Sequence, residues 1–217
     1  MPARLPAHTA RHVVVAIVIA NALAGCGGAP GPTRPSPAKP TTATASPEPA
    51  ELAALRARPL RLPTLAAGDA CPVTPAAPMD PAPPAGHPLS SGGPPSALGH
   101  APLFPDAHYY GGGTRLPMRS GHPHPGWYVS KAPWGTRAGY RGWTLIRTAR
   151  LDGPGLALVE LRLADVPQIS NALPVDVQAD WQYWAGETEV TNPGCYAYQV
   201  DGSSFTEVIV FRAEVVP

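Results

Sequence analysis

The chain has 217 residues, and its 31 Pro and 22 Gly make up about 24% of them, a level at which part of a chain is low in complexity. Charged residues are only 14% of the chain and the net charge is +1, so no basic surface for a phosphate backbone is expected and nucleic-acid binding is disfavoured. The 15 aromatic residues all lie at or after Phe104, which predicts a core in the C-terminal half.

A lipoprotein signal peptide is predicted over residues 1–25. Two Arg residues precede an apolar run, 13–24, which is too short to span a bilayer comfortably. Residues 23–26, with the sequence LAGC, resemble the bacterial lipobox, in which the Cys receives a diacylglyceryl group and becomes the first residue. The resemblance implies a membrane anchor through lipidated Cys26 and an extracytoplasmic location, because a diacyl group suffices for stable anchoring. An ordinary signal peptide or an uncleaved anchor is the alternative.

Apart from Cys26, the cysteines are Cys71 and Cys195. In an oxidising compartment an even pair predicts one disulfide. Closing a loop of 124 residues stabilises a fold by roughly 4–5 kcal/mol in the chain-entropy model. Two buried free thiols are the alternative, whereas a catalytic Cys or a zinc site lacks the accompanying ligands.

The N-terminal half is rich in proline. Residues 26–50 predict a disordered linker, whose extended polyproline geometry would reach about 70 Å at about 3.1 Å per residue. Residues 51–58 predict two turns of helix, which Pro59 ends. From there to Pro105 the proline content predicts Pro/Gly-rich irregular coil, so residues 51–105 are expected to be a short helix and a coil packed on the domain.

Short runs rich in β-branched and aromatic residues predict strands in the C-terminal half. Turn residues at Asp152–Gly155 and at Asp201–Ser204 predict two hairpins. Val208–Phe211 is apolar on both faces and is expected at a central position or beneath the Pro-rich coil. The pattern indicates an all-β domain over residues 106–217, an antiparallel sandwich or barrel. The predicted strands are residues 127–129, 143–147, 156–163, 195–200 and 205–216.

Several blocks of the chain carry a resemblance. Pro193–Gly202, followed by Phe205–Phe211, looks like the C-terminal signature of a group of uncharacterised secreted and lipid-anchored proteins of high-GC bacteria, with its Gly-Cys-aromatic start. The resemblance implies an immunoglobulin-like sandwich with Cys71 and Cys195 paired, and it implies no activity. Because Cys71 lies in predicted coil, the bridge is expected to pin that coil to the sandwich. The further similar blocks are Arg58–Leu60, Leu62–Pro63, Leu65, Cys71–Pro75, Leu145–Arg147 and Leu151–Gly153.

Two groups of residues are candidates for binding. His122 and His124 flank a single proline and are candidate Cu or Zn ligands, although the spacing fits no metal-site template and solvated loop histidines are the alternative. In an extended run Trp181 and Tyr183 lie on one side and Trp184 on the other. An exposed aromatic surface here would stack on sugar rings, whereas buried rings would fill the core.

No catalytic motif is found, neither a Gly-x-Ser-x-Gly elbow nor a His-Glu-x-x-His helix nor a paired-carboxylate site. No cofactor is predicted. The favoured hypothesis is a non-enzymatic binding or structural module at the cell envelope, with a cell-wall polymer or another envelope protein as partner. An extracytoplasmic Cu/Zn-binding protein is the alternative, followed by an envelope hydrolase whose site is assembled from loops.

Overall fold

The computed structural model of the chain describes residues 47–66, 68–111, 113, 115–120, 124–163, 166–170, 172–176 and 181–217. The predicted signal peptide, Cys26 and most of the predicted linker lie outside these residues. Within them, no helix combines the length and the hydropathy required to cross a membrane.

One short helix, α1 (Ala50–Ala57), opens the described part of the chain. It ends before Arg58, whose backbone is extended because a proline follows. Leu52 and Leu55 lie three positions apart on one side of the helix and are buried against Leu145 of the main sheet. The helix predicted over residues 51–58 is confirmed to within one residue at each end.

Thirteen strands are present within the described residues, together with two single turns of 3₁₀ helix at Pro88–Ser90 and Ala107–Tyr110. The strands are β1 (Ala76–Pro78), β2 (Ser96–Leu98), β3 (Leu103–Pro105), β4 (Arg115–Ser120), β5 (Tyr128–Lys131), β6 (Trp134–Thr136), β7 (Arg141–Arg150), β8 (Ala157–Leu163), β9 (Val166–Ser170), β10 (Ala172–Asp176), β11 (Gln182–Val190), β12 (Gly194–Gly202) and β13 (Phe205–Val215).

Eleven of these strands form one mixed sheet. Nine follow the order β10-β7-β12-β13-β4-β5-β11-β6-β3, while β8 pairs with β11 and with β9. Neighbouring strands are antiparallel except β4 and β13, which run parallel. The prediction of an entirely antiparallel arrangement is therefore wrong at this pair. Since most of the domain separates β4 from β13 along the chain, no hairpin fixes their relative direction.

Two separate regions of this sheet enclose the principal core. Tyr198 of β12 and Phe211 of β13 stack with their ring centroids 4.4 Å apart. Trp134 of β6 meets Tyr198 edge-on at 5.2 Å, and Leu161 of β8 joins the same buried cluster. Side chains from distant strands of the sheet therefore face one another across a single core.

One of the two predicted hairpins is confirmed. In β12–β13, Gly202 lies opposite Phe205, so Ser203 and Ser204 form a two-residue turn. The hairpin predicted at Asp152–Gly155 is wrong. β7 pairs with β10 and β12, whereas β8 pairs with β9 and β11, so this turn connects two regions of the sheet.

The Pro-rich segment predicted as irregular coil contains three short strands. β1 and β2 pair with each other, and β3 pairs with β6 at one end of the main sheet. Leu103 and Phe104 of β3 are fully buried, so the segment contributes to the interior as well as covering it. The prediction of coil is therefore wrong for these three strands. Each has only three residues, and in so short a pairing a proline removes few backbone hydrogen bonds.

Candidate functional site

Residues 58–66 and 68–74, which we call the strap, lie across the outer side of β12 and β13. The strap is joined to the sheet by the disulfide between Cys71 and Cys195, whose Cα atoms are 5.6 Å apart. Cys195 is on β12, whereas Cys71 is in a stretch without regular structure. The predicted disulfide is therefore present in the structure, and it holds an irregular segment against the sheet as expected.

Apolar contacts and backbone hydrogen bonds hold the strap on both sides of the disulfide. Leu62 and Leu65 pack against a buried cluster that includes Val210 of β13. The backbone N–H of Thr74 donates to the carbonyl oxygen of Val210 at 2.8 Å, and the Val210 N–H donates to Thr74 Oγ1 at 2.9 Å. The expected position of Val208–Phe211 beneath the Pro-rich segment is thus confirmed.

A buried carboxylate lies where the strap begins. Asp201 of β12 is fully buried, and its Oδ2 accepts a hydrogen bond of 2.6 Å from Arg147 of β7. The hydroxyl of Thr206 donates to Oδ1 at 2.7 Å. Because a buried charge is costly unless it is paired and hydrogen-bonded, this set of partners is what allows Asp201 to occupy the position.

Gln199 and Arg58 connect the same carboxylate to the strap. The Gln199 amide donates to the carbonyl of Pro59 at 3.0 Å and accepts from the N–H of Arg61 at 2.6 Å. The guanidinium of Arg58 donates to the carbonyls of Gly202 and Phe205 at the β12–β13 turn. A cavity of about 240 Å³ remains between these side chains. Since its polar groups bind the strap, we assign it a structural role.

An ion pair fixes the beginning of β12, next to the disulfide. Asp152 accepts hydrogen bonds from Arg150 Nε at 2.7 Å and from the backbone N–H of Cys195 at 2.9 Å. Burial alone would raise the pKa of Asp152, but these hydrogen bonds and the charge of Arg150 outweigh it and hold the pKa below its ordinary value. The carboxylate therefore stabilises the turn at Asp152–Gly155, where a hairpin was predicted.

The three aromatic residues of the candidate binding surface are buried or partly buried. Trp184 is only 5% exposed, and its Nε1 donates to Thr136 Oγ1 at 2.7 Å inside the core. Trp181 and Tyr183 lie on the opposite side, as the alternation predicted, and both are partly buried against a cluster that includes Phe104. Of the two alternatives, an exposed surface or rings that fill the core, the second therefore applies to Trp184, since Thr136 holds its indole in the core.

Two of the described histidines, His87 and His124, lie in different parts of the fold. His122 lies outside the described residues, and the Nδ1 of His124 is 3.0 Å from Oε2 of Glu189, a fully buried carboxylate. His87 contacts the carbonyl oxygen of Trp181 at 3.3 Å, elsewhere in the fold. Over the part of the chain that the structure describes, no group of three or more His, Cys, Asp or Glu side chains is placed to hold a metal ion.

A chain of hydroxyl groups crosses the principal core but is not placed for chemistry. Tyr198 shares hydrogen bonds with Tyr110 at 3.0 Å and with Thr188 at 2.7 Å, and all three are fully buried. Burial raises the pKa of both phenols above its ordinary value, so they stay protonated at neutral pH. These groups satisfy each other and have no access to a substrate.

The outer face of β4, β5 and β11 carries an open groove with a volume of about 470 Å³. Its walls include Arg119 of β4, Lys131 of β5 and Glu187 of β11, with Tyr109 and the buried Ser130 alongside. Lys131 and Glu187 are directly opposite in the register of β5 and β11. The volume falls within the range of about 300–1,000 Å³ that is usual for small-molecule sites, so this groove is the candidate binding site.

The groove was not predictable from the sequence, because its residues come from separate segments and form no motif. One signal was available: in β4 the exposed Arg115, Pro117 and Arg119 alternate with the buried Leu116 and Met118, which marks an outward face carrying cations. Which strands lie beside it depends on pairings over long sequence separations.

Comparison with protein-family models finds no match to this chain. Comparison with curated proteins likewise finds no significant match.

Proposed function

We propose that the chain is a lipid-anchored extracytoplasmic protein of the cell envelope whose immunoglobulin-like sandwich acts as a non-enzymatic binding or structural module. The observation that carries this proposal is the Cys71–Cys195 disulfide, since such bonds persist in oxidising compartments. The lipobox-like LAGC sequence ending at Cys26 provides the lipid anchor. The Pro-rich linker would hold the domain at a distance from the membrane. A cell-wall polymer or another envelope protein would be the partner.

The strap supports the same proposal. A domain that leaves the cytoplasm meets proteases and fluctuating conditions without chaperone rescue, and a covalent bond between an irregular segment and the sheet limits local opening. The disulfide, the Thr74–Val210 hydrogen bonds and the Asp201 network hold the strap at three points.

The anchor is tested by metabolic labelling. Bacteria that express the full chain are grown with an alkyne-bearing palmitate, fractionated and probed for label on this protein. We expect label and membrane location for the wild type, and loss of both in Cys26→Ser. Cys71→Ser is the matched control, because it removes a thiol and leaves the lipobox intact, so it should keep the label. Label that survives Cys26→Ser, or an unlabelled wild type, contradicts the proposal.

A further inference from the structure

We propose that the groove on the outer face of β4, β5 and β11 binds a carboxylate-bearing saccharide. This inference deepens the proposed function, because it names the ligand class of the binding module. It starts from the two cations of the groove. Arg119 and Lys131 point to the outer face, and neither has an ion-pair or hydrogen-bond partner for its charged group among the described residues.

The register of β4 and β5 sets the spacing of these cations. Arg119 lies opposite Val129, and Lys131 lies two residues beyond Val129 on the same face. The Cα atoms of such diagonal neighbours are about 7–8 Å apart, and both side chains are long enough to reach the same point. One oxyanion held between them can therefore receive a forked pair of N–H donors from Arg119 and a further donor from Lys131.

The remaining side chains of the groove suit a sugar. Tyr109 packs in part against the principal core and lines the groove with the rest of its phenol ring, and rings of this amphipathic kind pack against sugar rings. The carboxylate of Glu187 is an acceptor for hydroxyl groups, and it is oriented by Arg162 with a distance of 3.7 Å between Nη2 and Oε2.

The charge of the groove favours a carboxylate over a phosphate. Two cations and one carboxylate leave a single net positive charge among the lining residues. A single carboxylate group, such as each ring of an acidic oligosaccharide carries, matches that charge at the two cations. A phosphate group near its second pKa places more negative charge at the same point and would lie close to Glu187. Farther along the outer face, Arg115 pairs with Glu214 at 3.4 Å, while Arg212 of β13 is exposed outside the groove.

The test is calorimetric titration of the full chain, purified in detergent from whole-cell lysate, with α-1,4-linked trigalacturonate, which carries one carboxylate on each ring. Maltotriose serves as the neutral trisaccharide and inorganic phosphate as the competing anion. We expect saturable binding of trigalacturonate, no measurable binding of maltotriose and no competition by equimolar phosphate. In the Arg119→Gln, Lys131→Gln double variant we expect affinity to fall at least about tenfold, since two charge-assisted contacts are lost.

Arg212→Gln is the matched control, because it removes an exposed cation outside the groove and should leave affinity unchanged. Equal melting temperatures for all variants establish that the fold is intact. The proposal is overturned by an absence of saturable binding, by equal binding of maltotriose, by displacement with phosphate, or by an equal loss in Arg212→Gln.

Failure of this proposal is distinguishable from failure of the proposed function. A chain labelled at Cys26 that does not bind trigalacturonate overturns only the ligand class. A chain that binds trigalacturonate but carries no lipid overturns only the anchor.

Discussion

Breaking the disulfide should destabilise the domain by an amount that the structure allows us to work out. The bond closes a loop of 124 residues, and the chain-entropy model assigns about 4–5 kcal/mol to a loop of that size. For a domain of 150–250 residues, each kcal/mol shifts Tm by about 2–4 °C. We therefore expect Cys71→Ser to lower Tm by about 8–20 °C under non-reducing conditions.

The assay is thermal unfolding followed by circular dichroism, with and without reductant. Cys71→Ser, Cys195→Ser and the double variant should melt together, because removal of either thiol breaks the same bond. In reductant the wild type should fall to the Tm of the variants. Cys26→Ser is the control, since it makes the same substitution away from the bridge and should melt like the wild type under both conditions.

Two results would refute this reasoning. A wild type that melts at the same temperature with and without reductant would show that the bond does not constrain the unfolded chain. A double variant that melts well below both single variants would show that the thiols act separately, as two buried side chains, and not as a bridge.

Three further substitutions test individual contacts. Asp201→Ala should cost about 3–5 kcal/mol in urea unfolding because it leaves a cation of the network unpaired. Asp69→Ala, at an exposed site where a single hydrogen bond from the Ala66 N–H is lost, should cost only about 1 kcal/mol. Gly186→Ala should be strongly destabilising by the same measurement, since its Cβ would lie 2.6 Å from a backbone carbonyl oxygen of a neighbouring segment, and a wild-type midpoint would contradict the packing described. The lowered pKa of Asp152 means that its contribution is present above the unfolded-state pKa and is lost as pH falls through the folded-state value. The stability advantage of the wild type over Asp152→Asn should therefore shrink below about pH 4, and a constant difference across that range would be evidence against the Arg150 pairing.

The strands of the C-terminal half were predictable because local patterns determine them. Alternation and β-branched residues located β7, β8, β12 and β13, and a short turn between two apolar runs located the β12–β13 hairpin. Cysteine counting located the disulfide. The apolar run at Val208–Phe211 indicated that both faces of β13 are covered, and the strap covers one of them.

Features that depend on distant pairings were not predictable in the same way. The turn at Asp152–Gly155 has the composition of a hairpin, but the strands on either side pair elsewhere, so the local signal was misleading. β3 was missed because its proline argues against a strand, while pairing with β6 outweighs that preference. The partial covering of Trp181 by Phe104 joins residues far apart in sequence, with ring centroids 6.1 Å apart.

The candidate groove was missed for the same reason. Arg119, Lys131 and Glu187 are single charges in three separate segments, and each alone is typical of a solvated strand face. Only the register of β4, β5 and β11 brings them to one place.

The intact mass of the protein, purified from bacterial membranes without reductant, reports both the lipid anchor and the disulfide in one measurement. An envelope lipoprotein closed by one disulfide should consist of residues 26–217 with a diacylglyceryl group on Cys26, and should lack two hydrogen atoms relative to the reduced chain. The same mass after treatment with an alkylating agent would show that Cys71 and Cys195 are paired. An unprocessed chain that begins at Met1, without lipid and with two alkylated thiols, would contradict both the location and the strap.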